Sequence, residues 1–276
     1  MNNIPRLDAA SWLKHHRLQP HKGLGQNFLQ DPIALEEIVS AADINPTDTV
    51  LEIGPGLGSL TRYLAVSAKE VVAVELDRNL LPPLRAILSS YKNVRLIQGD
   101  ILKLAPGELV NESNYTVAAN IPYYITSAVI RHLLASDKKP RRIVLTVQKE
   151  VAQRICSAPG GLSLLALSVQ VYGKPRIAAH IPARAFYPVP KVDSAVLCID
   201  IYPSPLISAE YIDTFFHLIK AGFSQKRKML RNSLSSGLHI SPTEAADLLK
   251  RANIDPQRRA ETLSIDEWQT LSELFK

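Results

Sequence analysis

Cysteine is scarce in this sequence: Cys156 and Cys198 are the two among 276 residues. They have no paired spacing and no neighbouring histidine, so we expect neither a disulfide framework nor a zinc site. A reducing cytoplasm is the simplest compartment for such a chain. The longest uncharged stretch, residues 155–173, contains Pro159 and Gly160, and no apolar run follows the N-terminal charges. The sequence therefore predicts neither a membrane span nor a secretory signal.

Several motifs of metal and nucleotide chemistry are also missing. The seven histidines form no H-E-x-x-H motif, and neither G-x-S-x-G nor G-x-x-x-x-G-K-[ST] occurs. We therefore expect no metal cofactor, no hydrolase nucleophile of the G-x-S-x-G kind and no P-loop.

Positive charge is in excess, and it is clustered. Lys and Arg number 32 against 26 Asp and Glu, a net charge of +6 that favours a polyanionic partner. Residues 138–154 contain one acid, Glu150, and residues 220–234 contain none. A solvated helix face is the alternative explanation of such clusters. Their candidate phosphate-binding residues are Arg141, Arg142, Lys226, Arg227, Lys228 and Arg231.

An alternation of strands and helices predicts the fold of the first two thirds of the chain. Five runs are rich in Val and Ile and do not alternate with polar residues, as is typical of strands buried on both faces. Helical stretches lie between them, and Asp31-Pro32 is a typical helix start. We predict an α/β fold with a doubly wound parallel sheet. The five runs are residues 49–53, 70–75, 94–98, 115–120 and 141–148.

The last third of the chain has a different pattern. Residues 192–201 are predicted to form a late edge strand, and Pro203 and Pro205 interrupt the pattern after it. From Tyr211 onward apolar residues recur at helical spacing, which predicts a small all-helical domain. We place the domain boundary between residues 203 and 204, with residues 1–22 as a basic N-terminal tail.

A glycine-rich loop and two acids follow successive predicted strands. Residues 52–58 have the sequence E-I-G-P-G-L-G, and glycines there let the backbone approach a ligand beside the amides of the next helix. Glu75 closes the second strand, where a carboxylate can accept hydrogen bonds from both hydroxyls of a ribose, and Asp100 closes the third. Parallel strands would bring Gly54 and both acids into one crevice. Taken singly, each acid is equally well explained as a solvated residue at a strand end.

This arrangement resembles the class I S-adenosylmethionine-dependent methyltransferases, which have a Rossmann-like sheet. The resemblance implies S-adenosylmethionine as the cofactor and no metal. The chemistry agrees, because this cofactor offers ribose hydroxyls and an adenine amine to carboxylates. It also lacks the pyrophosphate that needs the G-x-G-x-x-G fingerprint, a motif this sequence does not have.

The fourth predicted strand ends in Asn120-Ile121-Pro122-Tyr123. This turn offers a side-chain amide oxygen, a main-chain carbonyl and an aromatic face, which together suit the exocyclic amine of a planar base. Two acceptors on the amine hydrogens let the nitrogen direct its lone pair at a methyl donor. Tyr123 and, from a second aromatic turn, Phe186 would stack on opposite faces of an extruded base. The alternative is that the tetrapeptide only ends a strand and starts a helix.

Five segments, taken in order, resemble those of ribosomal RNA adenine N6,N6-dimethyltransferases, and most closely the small-subunit family. They are residues 25–29 (GQNFL), 52–58, 120–123, 186–194 (FYPVPKVDS) and 223–232 (FSQKRKMLRN). The resemblance implies dimethylation of two adjacent adenosines in the 3′-terminal hairpin loop of 16S rRNA, and a helical domain that helps to bind RNA. It also implies a set of cofactor-binding residues: Asn27, Leu29, Gly54, Gly56, Glu75, Asp100 and Asn120.

Three other functions stay open. Large-subunit rRNA adenine N6-methyltransferases of the macrolide-resistance type share the N-I-P-Y tetrapeptide, adenine methyltransferases that act on DNA use similar turns, and an RNA-binding assembly factor could keep the fold without catalysis. The F-x-P-x-P-K-V-D-S and K-R-K-x-L-R-N elements favour the small-subunit enzyme. We therefore expect 16S rRNA or the immature 30S subunit as the partner of a monomeric, cytoplasmic protein without membrane contact.

Overall fold

The computed structural model describes residues 4–111 and 114–275 of the chain. Its strands are β1 (Phe28–Leu29), β2 (Thr49–Ile53), β3 (Glu70–Glu75), β4 (Val94–Gln98), β5 (Thr116–Asn120), β6 (Arg142–Gln148), β7 (Gly173–Ile181), β8 (Phe186–Tyr187) and β9 (Ser194–Ile201). The main sheet has the order β4-β3-β2-β5-β6-β9-β7, and β1 and β8 form a separate antiparallel ladder.

The five strand runs expected from the sequence are β2 to β6, and the pairs among them are parallel. Strands β2, β3 and β5 are almost wholly buried because neighbours flank them in the sheet and helices cover its faces. In a parallel sheet the carboxyl ends of all strands reach the same edge, so the segments after β2, β3, β4 and β5 meet there.

Two expectations about the sheet were wrong. Residues 192–201 were expected to form an edge strand, but β9 lies between β6 and β7 and pairs antiparallel with β6. The edge strand is β7, which has no continuous apolar run because its residues alternate between partly buried and exposed positions. Strand β4, at the other edge, is only partly buried, so its run is not covered on both faces as the sequence suggested.

Local sequence explains the helix boundaries. Helix α2 begins after Asp31, whose carboxylate accepts from the amide of Ala34, and Pro32 occupies its first position. The helices are α1 (Ala9–His15), α2 (Pro32–Ala42), α3 (Ser59–Ser67), α4 (Leu81–Ile87), α5 (Pro106–Leu109), α6 (Thr126–Ala135), α7 (Lys149–Ile155), α8 (Leu164–Gln170), α9 (Ile212–Gly222), α10 (Leu230–Leu238), α11 (Pro242–Arg251) and α12 (Ile265–Leu274).

The chain forms two units. The first comprises the described residues up to Ala152 together with Pro175–Ile201, and the second comprises Gln153–Lys174 with the described residues from Tyr202 onward. This division falls between residues 201 and 202, where the sequence prediction placed it between 203 and 204, and it also groups residues 153–174 with the second unit. The reason is apolar packing: Leu167 and Val171, on and just after α8, are buried in the same cluster as Phe215 and Trp268.

The N-terminal segment is not a tail over its described part, contrary to the sequence expectation; residues 1–3 of that predicted tail lie outside the described residues. Helix α1 is capped by Asp8, and the amide of Ala9 donates to the side-chain oxygen of Gln30 at 3.1 Å. Leu7 and Leu13 are buried in one cluster with Leu57 of the glycine-rich loop. Burial of these leucines fixes α1 to the first unit.

Candidate active site

A cavity of about 300 Å³ opens at the carboxyl edge of the parallel strands. The segments after β2, β3, β4 and β5 contribute to its wall, as do residues 24–29 and Phe186. All of the cofactor-binding and catalytic residues named from sequence line it: Asn27, Leu29, Gly54, Gly56, Glu75, Asp100, Asn120, Ile121, Pro122, Tyr123 and Phe186. A pocket of this kind at the switch point of an α/β sheet is the usual place for a nucleotide-like ligand.

Backbone geometry explains why glycine stands at positions 54 and 56. Gly54 and Gly56 have φ angles of 68° and 59°, in the left-handed region that glycine enters without strain. A Cβ atom built on Gly54 would meet no heavy atom within 4 Å, so the space beside this residue is open. A Cβ on Gly56 would lie 3.1 Å from the ring of Phe28, which leaves no room for a side chain.

The Glu75 carboxylate holds the glycine-rich loop to the end of β3. Its two oxygens accept hydrogen bonds from the amides of Gly56 (2.9 Å) and Asp77 (2.8 Å). Burial raises the pKa of Glu75, and these two amides counteract that rise. A carboxylate has about four acceptor positions, so the bonds from Gly56 and Asp77 do not exhaust its capacity to accept from a ligand in the cavity.

Asp100 has a similar position after β4. One of its oxygens accepts from the amide of Leu102 at 3.1 Å and caps the short turn that follows the strand. The amide of Gly99, the residue before it, donates to the carbonyl of Glu75 at 2.9 Å. The two acids therefore lie on adjacent strand ends joined by a main-chain hydrogen bond, as the parallel sheet predicted.

Asn120 is oriented by a residue far away in sequence. Its side-chain NH2 donates to the main-chain carbonyl of Asn27 at 3.0 Å, which leaves the amide oxygen without a partner among the described residues. The carbonyl of Ile121 likewise accepts no hydrogen bond from any described residue. Pro122 follows with φ −57° and ψ 134°, and it has no amide hydrogen that could continue the ladder of β5. Two free acceptors thus stand next to each other at the cavity wall.

The two aromatic residues are held by different contacts. The hydroxyl of Tyr123 lies 2.7 Å from the Ser194 hydroxyl, and burial raises its pKa, so it is a neutral group at neutral pH. Phe186 is paired with Leu29 in the β1–β8 ladder. This ladder joins the GQNFL and FYPVPKVDS segments, which explains how residues 157 positions apart come to line one cavity.

Sequence reasoning left several lining residues unassigned. Glu52 is 1 % exposed, its Oε2 atom has no hydrogen-bond partner, and burial raises its pKa to about 8. Its place in the E-x-G-x-G-x-G motif was the available signal. The sequence also gave no sign of the apolar part of the cavity wall, because leucine and isoleucine outside regular strands and helices form no recognisable motif. This part of the wall includes Leu24, Leu76, Leu80, Ile101 and Leu102.

The two basic clusters differ in whether their charges are paired, and those of Arg141 and Arg142 are. Arg141 and Arg142 lie at the amino end of β6, the edge of the sheet opposite to the cavity. The guanidinium of Arg141 donates to Asp48 at 2.8 Å, and that of Arg142 pairs with Asp43 at 3.1 Å and with Asp200 at 2.5 Å. Both side chains are occupied by carboxylates of their own unit, so their assignment as phosphate-binding residues is withdrawn.

The second cluster keeps its charges free. Lys226, Arg227, Lys228 and Arg231 are exposed and form no ion pair with any described residue. The segment is fixed because the amide of Leu230, at the start of α10, donates to the carbonyl of Arg258 at 2.7 Å. An exposed group of four cations, just before and at the start of α10, without ion-pair partners among the described residues, suits an anionic partner.

Two features are absent from the described residues. No group of three or more His, Cys, Asp or Glu side chains there is arranged to hold a metal ion. Within the same residues, no helix has both the length and the apolar character that crossing a membrane requires.

Solved structures with a similar fold were found. The crystal structure of the 23S rRNA methyltransferase ErmE superposes with a TM-score of 0.73 at 27% identity, covering 90% of this chain and 98% of that one. A dimethyladenosine transferase from Plasmodium falciparum gives a TM-score of 0.75 at 26% identity, with 88% and 95% covered. These neighbours confirm the predicted Rossmann-like methyltransferase fold with a helical C-terminal part.

Similar sequences cover nearly the whole chain. Ribosomal RNA small subunit methyltransferase A of Dehalococcoides mccartyi (strain CBDB1) is 47% identical over 264 residues, which are 95% of this chain and 91% of that protein. The protein of the same name from Alkaliphilus metalliredigens (strain QYMF) is 42% identical over 267 residues, covering 94% and 93%. The model of the family described as ribosomal RNA adenine dimethylase matches residues 17–276. The chain belongs to the ribosomal RNA adenine dimethylase family.

Proposed function

We propose that this protein transfers methyl groups from S-adenosylmethionine to the N6 amines of two adjacent adenosines in the 3′-terminal hairpin loop of 16S rRNA. The observation that carries the proposal is the Asn120 corner, whose amide oxygen is left free for a donor by the hydrogen bond to Asn27. The relatives named as small-subunit methyltransferases, at 47% and 42% identity, favour the small-subunit rRNA as the substrate.

The residues present fit S-adenosylmethionine. Open space beside Gly54 leaves room for the ligand, and the free acceptor positions of Glu75 suit the two ribose hydroxyls. Asp100 offers its second oxygen to the adenine amine, and Leu76 and Ile101 supply apolar surface for the ring. Glu52, with a buried oxygen that lacks a donor, lies in the same wall. Asn27 and Leu29 close the cavity from the N-terminal side.

The chemistry needs little from the protein beyond positioning. S-adenosylmethionine, when bound, supplies a methyl group that is already strongly electrophilic. The amide oxygen of Asn120 and the carbonyl of Ile121 accept the two hydrogens of the adenine amine, which frees the nitrogen lone pair from the ring. No strong base is required for attack, since the proton can leave after the nitrogen has become positively charged.

Tyr123 and Phe186 hold the base by its faces. A base must leave its stack to reach an enclosed site, and aromatic side chains offset part of the energy lost on unstacking. The hydrogen bond between Tyr123 and Ser194 fixes the tyrosine ring in place. In the second unit, Lys226, Arg227, Lys228 and Arg231 bind phosphates of the structured RNA.

The test is methyl transfer from labelled S-adenosylmethionine to three substrates: immature small subunits, naked rRNA and duplex DNA, followed by nucleoside analysis. Dimethyladenosine confined to small-subunit rRNA is the expected result. Label found only in large-subunit rRNA, or in DNA, would show that the proposed substrate is wrong. If none of the three substrates were methylated, a role as a non-catalytic assembly factor would be supported instead.

A further inference from the structure

The first unit contains a second cavity, of about 600 Å³, directly beside the one described above. It lies between α1, the segment that follows α1, and the Tyr187–Pro188 turn. We propose that this second cavity holds the nucleotide next to the target adenosine. The proposal rests on the proposed function, and it assigns a role to a part of the chain that cofactor binding and methyl transfer do not use.

The two cavities share a wall, which consists of residues 25–27. Gly25 has a φ angle of 60°, and a Cβ atom there would lie 3.2 Å from Cβ of Pro122, so the wall packs directly against the catalytic corner. The Gln26 side chain accepts from the amide of His21 and donates to Asp77, each at 2.8 Å. A strand of RNA that places one base at Asn120 can place the neighbouring nucleotide on the other side of this partition.

The lining of the second cavity suits a nucleotide. Leu13 and Pro188 give it an apolar floor, and the Tyr187 ring, 37 % exposed, is available for stacking. Lys14 and Lys22 are exposed at its rim. The described lining residues include no carboxylate, and the sequence has no acid between Asp8 and Asp31 but contains three Lys or Arg and three His there. This charge distribution favours an anionic ligand, such as a nucleotide with its phosphate, over a cationic one, and the aromatic ring of Tyr187 suits a base.

A stacking surface in the second cavity would reduce the free-energy cost of extruding the target base. Pulling one adenosine out of a stacked loop removes a stacking partner from its neighbour as well as from itself. An aromatic surface for that neighbour offsets part of the loss, and stacking on a side chain is tolerant of base identity. Because an RNA strand has a fixed 5′ to 3′ direction, the second cavity takes the neighbour on one side of the target, so it serves while one of the two adjacent adenosines is methylated and not while the other is.

The test combines protein variants with altered RNA. Small subunits are reconstituted with 16S rRNA in which either of the two adjacent adenosines is replaced by an abasic nucleotide, and methyl transfer to the other is measured. The proteins are the wild type, Tyr187→Ala, Tyr187→Phe and the double variant Lys14→Ala with Lys22→Ala. Lys92→Ala, which removes an exposed lysine remote from both cavity linings, is the matched control.

On intact subunits Tyr187→Ala and the double lysine variant should each raise KM for the subunit about tenfold, with S-adenosylmethionine affinity unchanged, while Tyr187→Phe and Lys92→Ala behave as the wild type. When the abasic nucleotide is at one of the two positions, KM of the wild type for the subunit should also rise about tenfold. On the same subunits KM of Tyr187→Ala should be no higher than that of the wild type, because the base that Tyr187 would stack on is already missing. If the effects of Tyr187→Ala and of the abasic nucleotide on KM multiply at both positions, the two act independently and the proposed role of the second cavity is wrong. A wild-type KM for Tyr187→Ala on intact subunits would also overturn it. A wild-type protein that methylates no small subunit at all would instead refute the proposed function.

Discussion

The side-chain NH2 of Asn120 donates to the main-chain oxygen of Asn27, a residue 93 positions earlier, at 3.0 Å. This single hydrogen bond fixes which end of the Asn120 amide faces the cavity. It also ties the Asn120 corner to the N-terminal wall that the two cavities share. The family assignment confirms the enzyme class that the sequence suggested, and this contact leaves the Asn120 amide oxygen free at the acceptor site that we propose.

Replacing Asn120 by Ala should depress methyl transfer much more than cofactor binding. Removal of a positioned polar group that acts in the transition state commonly lowers kcat by about 100-fold or more. The measurement is single-turnover transfer to small subunits, with S-adenosylmethionine affinity measured on the same preparation by calorimetry. A variant with wild-type turnover would remove Asn120 from the mechanism.

Glu75→Ala should show the opposite pattern. The carboxylate holds the amides of Gly56 and Asp77 and is proposed to bind the ribose, so its loss both loosens the glycine-rich loop and removes ligand contacts. We expect S-adenosylmethionine affinity to fall by about 100-fold, since hydrogen bonds to a charged group are worth about 1.5–3 kcal/mol each. Unchanged affinity in titration calorimetry would contradict the assignment.

Substitutions at Gly54 and Gly58 distinguish a glycine that leaves room for the ligand from one that is required by packing within the protein. Gly54→Ala places a methyl group in open space at a left-handed φ, so it should cost about 1–2 kcal/mol of stability. Its S-adenosylmethionine affinity should nevertheless fall at least tenfold, because the methyl group occupies space that we assign to the ligand. Gly58→Ala, which would press a Cβ to 3.0 Å from Leu84, is the comparison: it should lose stability more than affinity. Equal effects of the two on affinity would argue against a ligand beside Gly54.

The buried Glu52 predicts a pH dependence of stability. Burial raises its pKa from 4.5 to about 8, so between these values the folded state holds a proton that the unfolded state has released. The unfolding free energy should therefore fall as pH rises from 5 to 8, by up to about 1.4 kcal/mol per pH unit relative to Glu52→Gln, and level off above pH 8. Denaturant titrations of the two proteins across this range provide the measurement. Parallel curves would mean that Glu52 is ionised in the folded protein.

The two basic clusters should respond differently to mutation. Arg227→Ala combined with Arg231→Ala should weaken RNA binding and reduce the slope of log affinity against log salt by about 1 to 2, because each phosphate contact contributes about 0.7 to 0.9. Arg142→Ala should lower stability by about 1 kcal/mol through loss of a partly exposed ion pair, and leave the salt slope unchanged. An unchanged slope in the first variant would contradict the phosphate-binding role proposed for Arg227 and Arg231.

The sequence predicted those features that depend on local pattern. Strands β2, β3 and β4 match their predicted runs to the residue. The residues named from sequence for cofactor binding and catalysis all line one cavity, mainly because a parallel sheet brings the ends of its strands together. Patterns that depend on tertiary partners were missed. The sequence does not show whether Arg142 faces solvent or pairs with Asp200. Strand β7 was missed because its residues alternate in burial and form no continuous apolar run. The orientation of Asn120 required a partner 93 residues away.

The most direct test of the central claim is a crystal structure of this protein with S-adenosylhomocysteine. We expect the ribose to contact Glu75, the adenine to lie toward Asp100, and the sulfur to face the free oxygen of Asn120 and the carbonyl of Ile121. A ligand bound with its sulfur directed away from that corner, or bound outside the cavity, would contradict it.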